Sequence, residues 1–161
     1  MPHSSVLANI RAIFLHPMAH VTTRHAAALL GWSMTQLRIA ITQGDLETET
    51  TCSGIRVPLA EVATIARDRW QPVLIERALG ENAKDILPDV LRTRSVSLRL
   101  SKYLVATLHH LAVKEGVPVD VIAARQLDLL AVEHADELAA VVAGFAEATE
   151  WPTKQDVQMI A

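Results

Sequence analysis

A single cysteine, Cys52, stands in the 161 residues. It excludes an intrachain disulfide and any paired-cysteine metal motif, and it makes a reducing compartment the default expectation. Aromatic residues make up only 4% of the chain, and with alanine and leucine abundant this points to a mostly helical protein. The formal net charge of −3 excludes a strongly basic chain that binds phosphate by charge alone. No apolar run approaches the length needed to span a bilayer: VLANIRAIFL is too short and contains Arg11. That run also lacks a basic leader and a small-residue cleavage site, so a cytoplasmic protein with no membrane partner is expected. No glycine-rich phosphate loop, HExxH or paired carboxylate spacing occurs. His16 and His20 are four apart, but Pro17 lies between them and breaks any shared helix face; His109 and His110 are adjacent and diverge on a helix. Neither an enzyme nor a metal or other cofactor is expected.

What is present is a hydrophobic half and a polarised charge. At 161 residues the chain is long enough for one domain or two small ones, and half of the residues are hydrophobic, which argues against a disordered tail protein. Residues 20–44 hold Arg24 and Arg38 and no acid, and residues 94–102 hold Arg94, Arg99 and Lys102 and no acid. Residues 115–150 hold eight acids against Arg125 alone. The positive stretches are therefore the candidates for meeting a polyanion, and the acidic end would be repelled by one.

Residues 21–62 carry the clearest pattern. Thr22 or Thr23 can cap a helix whose buried stripe is Ala26, Ala27, Leu29 and Leu30, and Gly31 follows as a left-handed stop. Ser33 or Thr35 then starts a second helix. Leu37 and Ile41 face inward there, while Thr35, Gln36, Arg38 and Thr42 point outward. A two-strand wing follows, and Pro58 opens a third helix, LAEVATIARDRW.

Two helices across a short glycine turn form the unit that lays its second helix in the DNA major groove. The stretches TTRHAAALLGWS, LRIAITQGDL and IRVPLAEV resemble the winged helix-turn-helix of the MerR and excisionase type. The resemblance implies that Thr35, Gln36, Arg38, Thr42 and, in the wing, Arg56 touch DNA. Thr23 and Arg24, opening the first helix, would meet phosphate. Glu47 and Glu49 depart from a basic or neutral wing, which leaves the wing either structural or held away from DNA.

A second pattern starts after Thr93. In SVSLRLS the apolar Val96, Leu98 and Leu100 alternate with Ser95, Ser97 and Arg99, the period of a half-buried strand. A lone strand leaves its backbone unpaired, so it needs a partner. KYLVATLHHLAVKEG then brings Leu104, Leu108 and Leu111 together at helical spacing. In the helix after it Ile122, Leu127 and Leu130 belong to an apolar set that covers nearly every side. Some 45 residues cannot surround such a helix alone, so a second copy is the economical solution.

The order strand, helix, helix resembles the ribbon-helix-helix family of Arc, MetJ and CopG. By that resemblance two strands from two subunits pair antiparallel. Arg94, Ser95, Ser97, Arg99 and Lys102 would then reach DNA, while Val96, Leu98, Leu100, Leu104, Leu108, Leu111, Ile122, Leu127 and Leu130 would build the dimer core. Pro118 and Asp120 depart from a second helix whose first turn clamps a phosphate. Dimerisation is accordingly the firmer expectation, with ribbon reading left open.

The whole is a mainly α fold, with an N-terminal winged helix-turn-helix and a C-terminal ribbon-helix-helix-like dimerisation module. Residues 1–19 form an N-terminal helix, 20–70 the winged helix-turn-helix domain, 71–93 a helical connector, 94–134 the ribbon-helix-helix-like module, and 135–161 a C-terminal helix and tail that frays after Pro152. The expected function is transcriptional regulation by a homodimer on an inverted repeat of double-stranded DNA. The alternative is an antitoxin-like protein that holds a partner protein, such as a cognate toxin, through its C-terminal helices and autoregulates its operon.

Overall fold

Apolar side chains at three- and four-residue spacing place Ile10, Ile13 and Phe14 on one face of helix α1 (Pro2–Leu15), and that face is buried. The computed structural model describes residues 2–15 and 18–159, so His16 and Pro17 lie outside the described residues. Strand β1 (His20–Thr22) leads directly into α2 (Thr23–Leu30), a turn at Gly31 joins α2 to α3 (Met34–Gln43), and strands β2 (Glu49–Thr51) and β3 (Gly54–Pro58) follow. The three strands make one antiparallel sheet in the order β1-β3-β2, with Val21 opposite Val57 and Glu49 opposite Arg56. Sequence periodicity suggests only the two-strand wing; β1 is too short to show a period and forms because β3 has a free edge to be covered. Leu46, which the sequence places in the wing, precedes β2 and lies in the core.

Helix α4 (Leu59–Leu79) is the spine. It packs against α1, α2 and two later helices, α7 (Val119–Glu133) and α10 (Lys154–Met159). The expected interruption before Pro72 is present as a break at Gln71, whose φ of 58° and ψ of 157° leave the helical region. Proline disfavours a helical backbone at the residue before it, which accounts for the break. The buried Gln71 side chain donates from Nε2 to the Asp68 carbonyl at 3.0 Å, which satisfies an acceptor freed by the interruption. Core residues lie on both sides of it, Val62, Ala63 and Ala66 before and Leu74, Ile75 and Ala78 after, so residues 71–79 belong to the same core as the first half of α4.

Short turns and α5 (Ala83–Ile86) lead to a segment without helix or strand, residues 92–101, whose end residues Arg92 and Ser101 have extended backbones, then to α6 (Lys102–Glu115) and α7. The continuous helix expected after Glu133 is divided into α8 (Ala135–Val141) and α9 (Phe145–Glu150). The tail expected to fray instead forms α10, with Val157 buried against the core. Thr153 and Asp156 start α10 with reciprocal bonds: the Thr153 amide donates to Asp156 Oδ2 at 2.7 Å and the Asp156 amide to Thr153 Oγ1 at 3.2 Å. The molecule is thus mainly helical with one small three-stranded sheet. Among the described residues no helix is long and apolar enough to cross a membrane.

Candidate nucleic-acid interface

Local capping chemistry sets the geometry of the α2–α3 pair. Thr22, with an extended backbone, accepts from the His25 amide at 3.0 Å and starts α2. Gly31 ends it at φ 65°, where a β-carbon would be strained, and the Trp32 amide donates back to the Ala27 carbonyl at 2.8 Å. Ser33 then starts α3 with a full capping box: the Gln36 amide donates to Ser33 Oγ at 3.2 Å, and the Ser33 amide donates to Gln36 Oε1 at 2.8 Å. Gly44, at φ 82°, closes α3.

Helix α3 buries Leu37 and Ala40 and turns Thr35, Gln36, Arg38, Ile39, Thr42 and Gln43 to the exterior. Of the residues expected outward, Thr35 and Arg38 are exposed without a cap to serve, whereas the Gln36 side-chain oxygen is engaged by Ser33 and Thr42 Oγ1 donates to the Arg38 carbonyl at 2.9 Å. Ile39 escapes the sequence reading because an isoleucine is ordinarily assigned to the core. The signal available was its helical phase, about 200° from Leu37 at 3.6 residues per turn. Arg24 is exposed at the start of α2, and Thr23 beside it is half-buried.

The wing acids are not free to oppose a phosphate equally. Glu49 Oε2 lies 2.5 Å from His20 Nε2, and its residue faces Arg56, of opposite charge, across the β2–β3 ladder. Arg56 itself is half-buried between β1 and β2, opposite both Thr22 and Glu49, while Ile55 at the wing's outer end is exposed. Glu47 remains exposed.

The second candidate surface differs from expectation. Residues 95–100 form no strand and lie outside the sheet. Arg94, Ser95, Ser97, Arg99 and Lys102 are exposed as expected, but Val96, Leu98 and Leu100, expected inward, are 80%, 65% and 44% exposed. The segment joins neither outer edge of the sheet, β1 or β2, so alternation alone does not make it a strand and its apolar side stays uncovered. Its root is fixed at Thr93, whose amide donates to Glu76 Oε2 at 2.8 Å and whose hydroxyl donates to the same oxygen.

Beyond this segment, Leu104, Leu127 and Leu130 are exposed and Leu108 and Leu111 half-buried on α6 and α7. Ile122 is a correction: at 2% exposure it is already covered inside one chain, because α7 lies against both α4 and α6. Polar contacts tie α7 to α4. Arg67 pairs with Asp128 through both guanidinium ends and also donates to the Ala148 carbonyl at 3.2 Å, Arg125 donates to the Arg69 carbonyl at 2.6 Å, and Arg77 meets Asp120 at 2.8 Å. Asp120, noted in the sequence as repelling a phosphate from the start of α7, is therefore an ion-pair partner of α4.

No family model, curated protein or solved structure matches the chain.

Proposed function

We propose that this protein is a sequence-specific DNA-binding transcriptional regulator that acts as a homodimer on an inverted repeat. The observation that carries the reading is the outward face of α3: a short helix capped at both ends, turned away from its core, bearing Thr35 and Arg38 and no acid. Such a helix fits the major groove, where an arginine forks onto guanine and a threonine meets either base edge. Arg24 at the start of α2 adds a phosphate contact.

The second copy follows from residues 94–130. A segment with bare backbone edges and an exposed apolar side is self-complementary: two such segments pair antiparallel and cover each other's Val96, Leu98 and Leu100. Leu104, Leu127 and Leu130 of the two chains close beneath them. Joining two chains doubles the phosphate contacts and gives the binding site the protein's two-fold symmetry.

Selection of binding sites from random double-stranded DNA tests this reading. The expected result is an inverted repeat whose affinity falls steeply with salt, and an Arg38→Ala protein that binds it with a loss of about 1–3 kcal/mol, as for one bidentate base contact. Unchanged affinity in Arg38→Ala, or no salt-sensitive DNA binding by the parent, overturns it.

A second reading, an antitoxin-like protein that holds a partner protein such as a cognate toxin, is favoured by Leu129, Val132, Val141 and Val142. Leu129 and Val132 on α7, Val141 at the end of α8 and Val142 just after it are exposed in the acidic C-terminal part of the chain, away from residues 92–101 in sequence. Stoichiometric co-purification with the product of an adjacent gene would favour it, DNA binding then serving autoregulation.

A further inference from the structure

Ile39 is 50% exposed at the middle of the outward face of α3, among Thr35, Arg38, Thr42 and Gln43, which with it line one shallow depression. A β-branched apolar side chain left half in water on an otherwise polar face keeps half of its apolar surface to be covered by something outside its own chain. Its neighbour Thr42 spends its hydroxyl proton on the Arg38 carbonyl at 2.9 Å, so it has no donor left to offer outward. Ile39 is thus the large apolar group on this face, with Arg38 beside it.

Of the groups that a helix meets in the major groove, phosphate oxygens, ring nitrogens and exocyclic oxygens and amines are all polar. The thymine C5-methyl is the apolar one. We propose that Ile39 is a specificity-determining residue that reads a thymine methyl in each half-site, beside the base pair contacted by Arg38. This rests on the DNA-binding reading of α3 and adds to it the identity of a base and the group on that base that is recognised.

The test deletes only the methyl. In the sequence obtained by selection, each thymidine is replaced in turn by deoxyuridine, and affinity is measured for the parent, Ile39→Ala and Ile39→Val. One position per half-site is expected to weaken parent binding about four-fold on losing its methyl, the worth of one buried methyl group. Ile39→Ala is expected to be insensitive at that position and Ile39→Val to retain part of the discrimination. Thermal unfolding of Ile39→Val should stay close to the parent's and that of Ile39→Ala should fall only modestly, since about half of the side chain is covered within the chain. A parent that binds its selected site but tolerates deoxyuridine everywhere, or an Ile39→Ala protein that keeps the full penalty, overturns the thymine reading while leaving DNA binding intact. A parent that selects no DNA sequence overturns both.

Discussion

Phe14 and Trp151 stack on one another, ring centroids 5.4 Å apart and planes 14° from parallel, although they come from α1 and from the junction before α10. Both rings are buried, and offset aromatic pairs add about 0.5–1.5 kcal/mol to their area burial. Trp151→Ala should therefore lower stability by about 3–5 kcal/mol, the range for removing a large buried ring, and Trp151→Phe by clearly less. Urea unfolding of the two variants measures this; a loss under about 1 kcal/mol for alanine would mean that α10 is not held by the ring.

The Arg67–Asp128 pair joins the spine to α7, with the side chains 7% and 27% exposed. Removing the Asp128 carboxylate leaves the buried guanidinium with the Ala148 carbonyl and the exposed Asp68 carboxylate 3.7 Å away, so Asp128→Ala should cost about 3 kcal/mol, the lower end for breaking a buried pair. Replacing both, Arg67→Met with Asp128→Leu, should recover most of that loss, because two apolar groups need no partner. Guanidinium unfolding of the single and double variants decides it. A double variant no better than the single would show that the Ala148 carbonyl contact of Arg67, rather than the ion pair, is what matters.

For residues 92–101, Leu98→Glu is expected to sediment as a single chain at micromolar concentration where the parent sediments as a dimer. The added carboxylate faces a closed apolar interface in a pair and only solvent in one chain. The parent's unfolding temperature should also rise with protein concentration, and the variant's should not. A parent that remains a single chain throughout would remove the two-fold arrangement.

Burial alone would raise the Glu76 carboxyl, but hydrogen bonds from the Thr93 side chain and backbone, with Arg92 alongside, outweigh it and hold it below its ordinary value of 4.5. A carboxyl depressed on folding contributes stability that is present above the unfolded value and lost as pH falls through the folded one. Glu76→Gln should accordingly be less stable than the parent at neutral pH, and the difference should close below about pH 4.5. Paired unfolding curves across that window check the sign; a constant difference would assign the effect to packing.

Much of the α2–α3 unit was legible because its determinants are local. Thr22, Gly31 and Ser33 act on backbone groups within four residues of themselves, so their chemistry can be read in a short window. Strand β1 was not legible, since His20–Thr22 is defined by pairing with residues 56–58, far along the chain. The alternation of residues 95–100 is real in the sequence, but its apolar side finds no cover within one chain. The tail gave the opposite error. A position at the end of the chain suggested that residues after Pro152 fray, whereas Val157 reaches back to a core assembled from the other end of the chain. In the candidate site, Arg38 and Thr35 followed from helical phase, while Ile39 was hidden because residue type was allowed to outweigh phase.

The bare edges of residues 94–101 make the active species, on the proposed reading, a product of encounter between two molecules. Its abundance then grows as the square of the supply while subunits are scarce, and a modest rise in synthesis sharpens into a large change in operator occupancy.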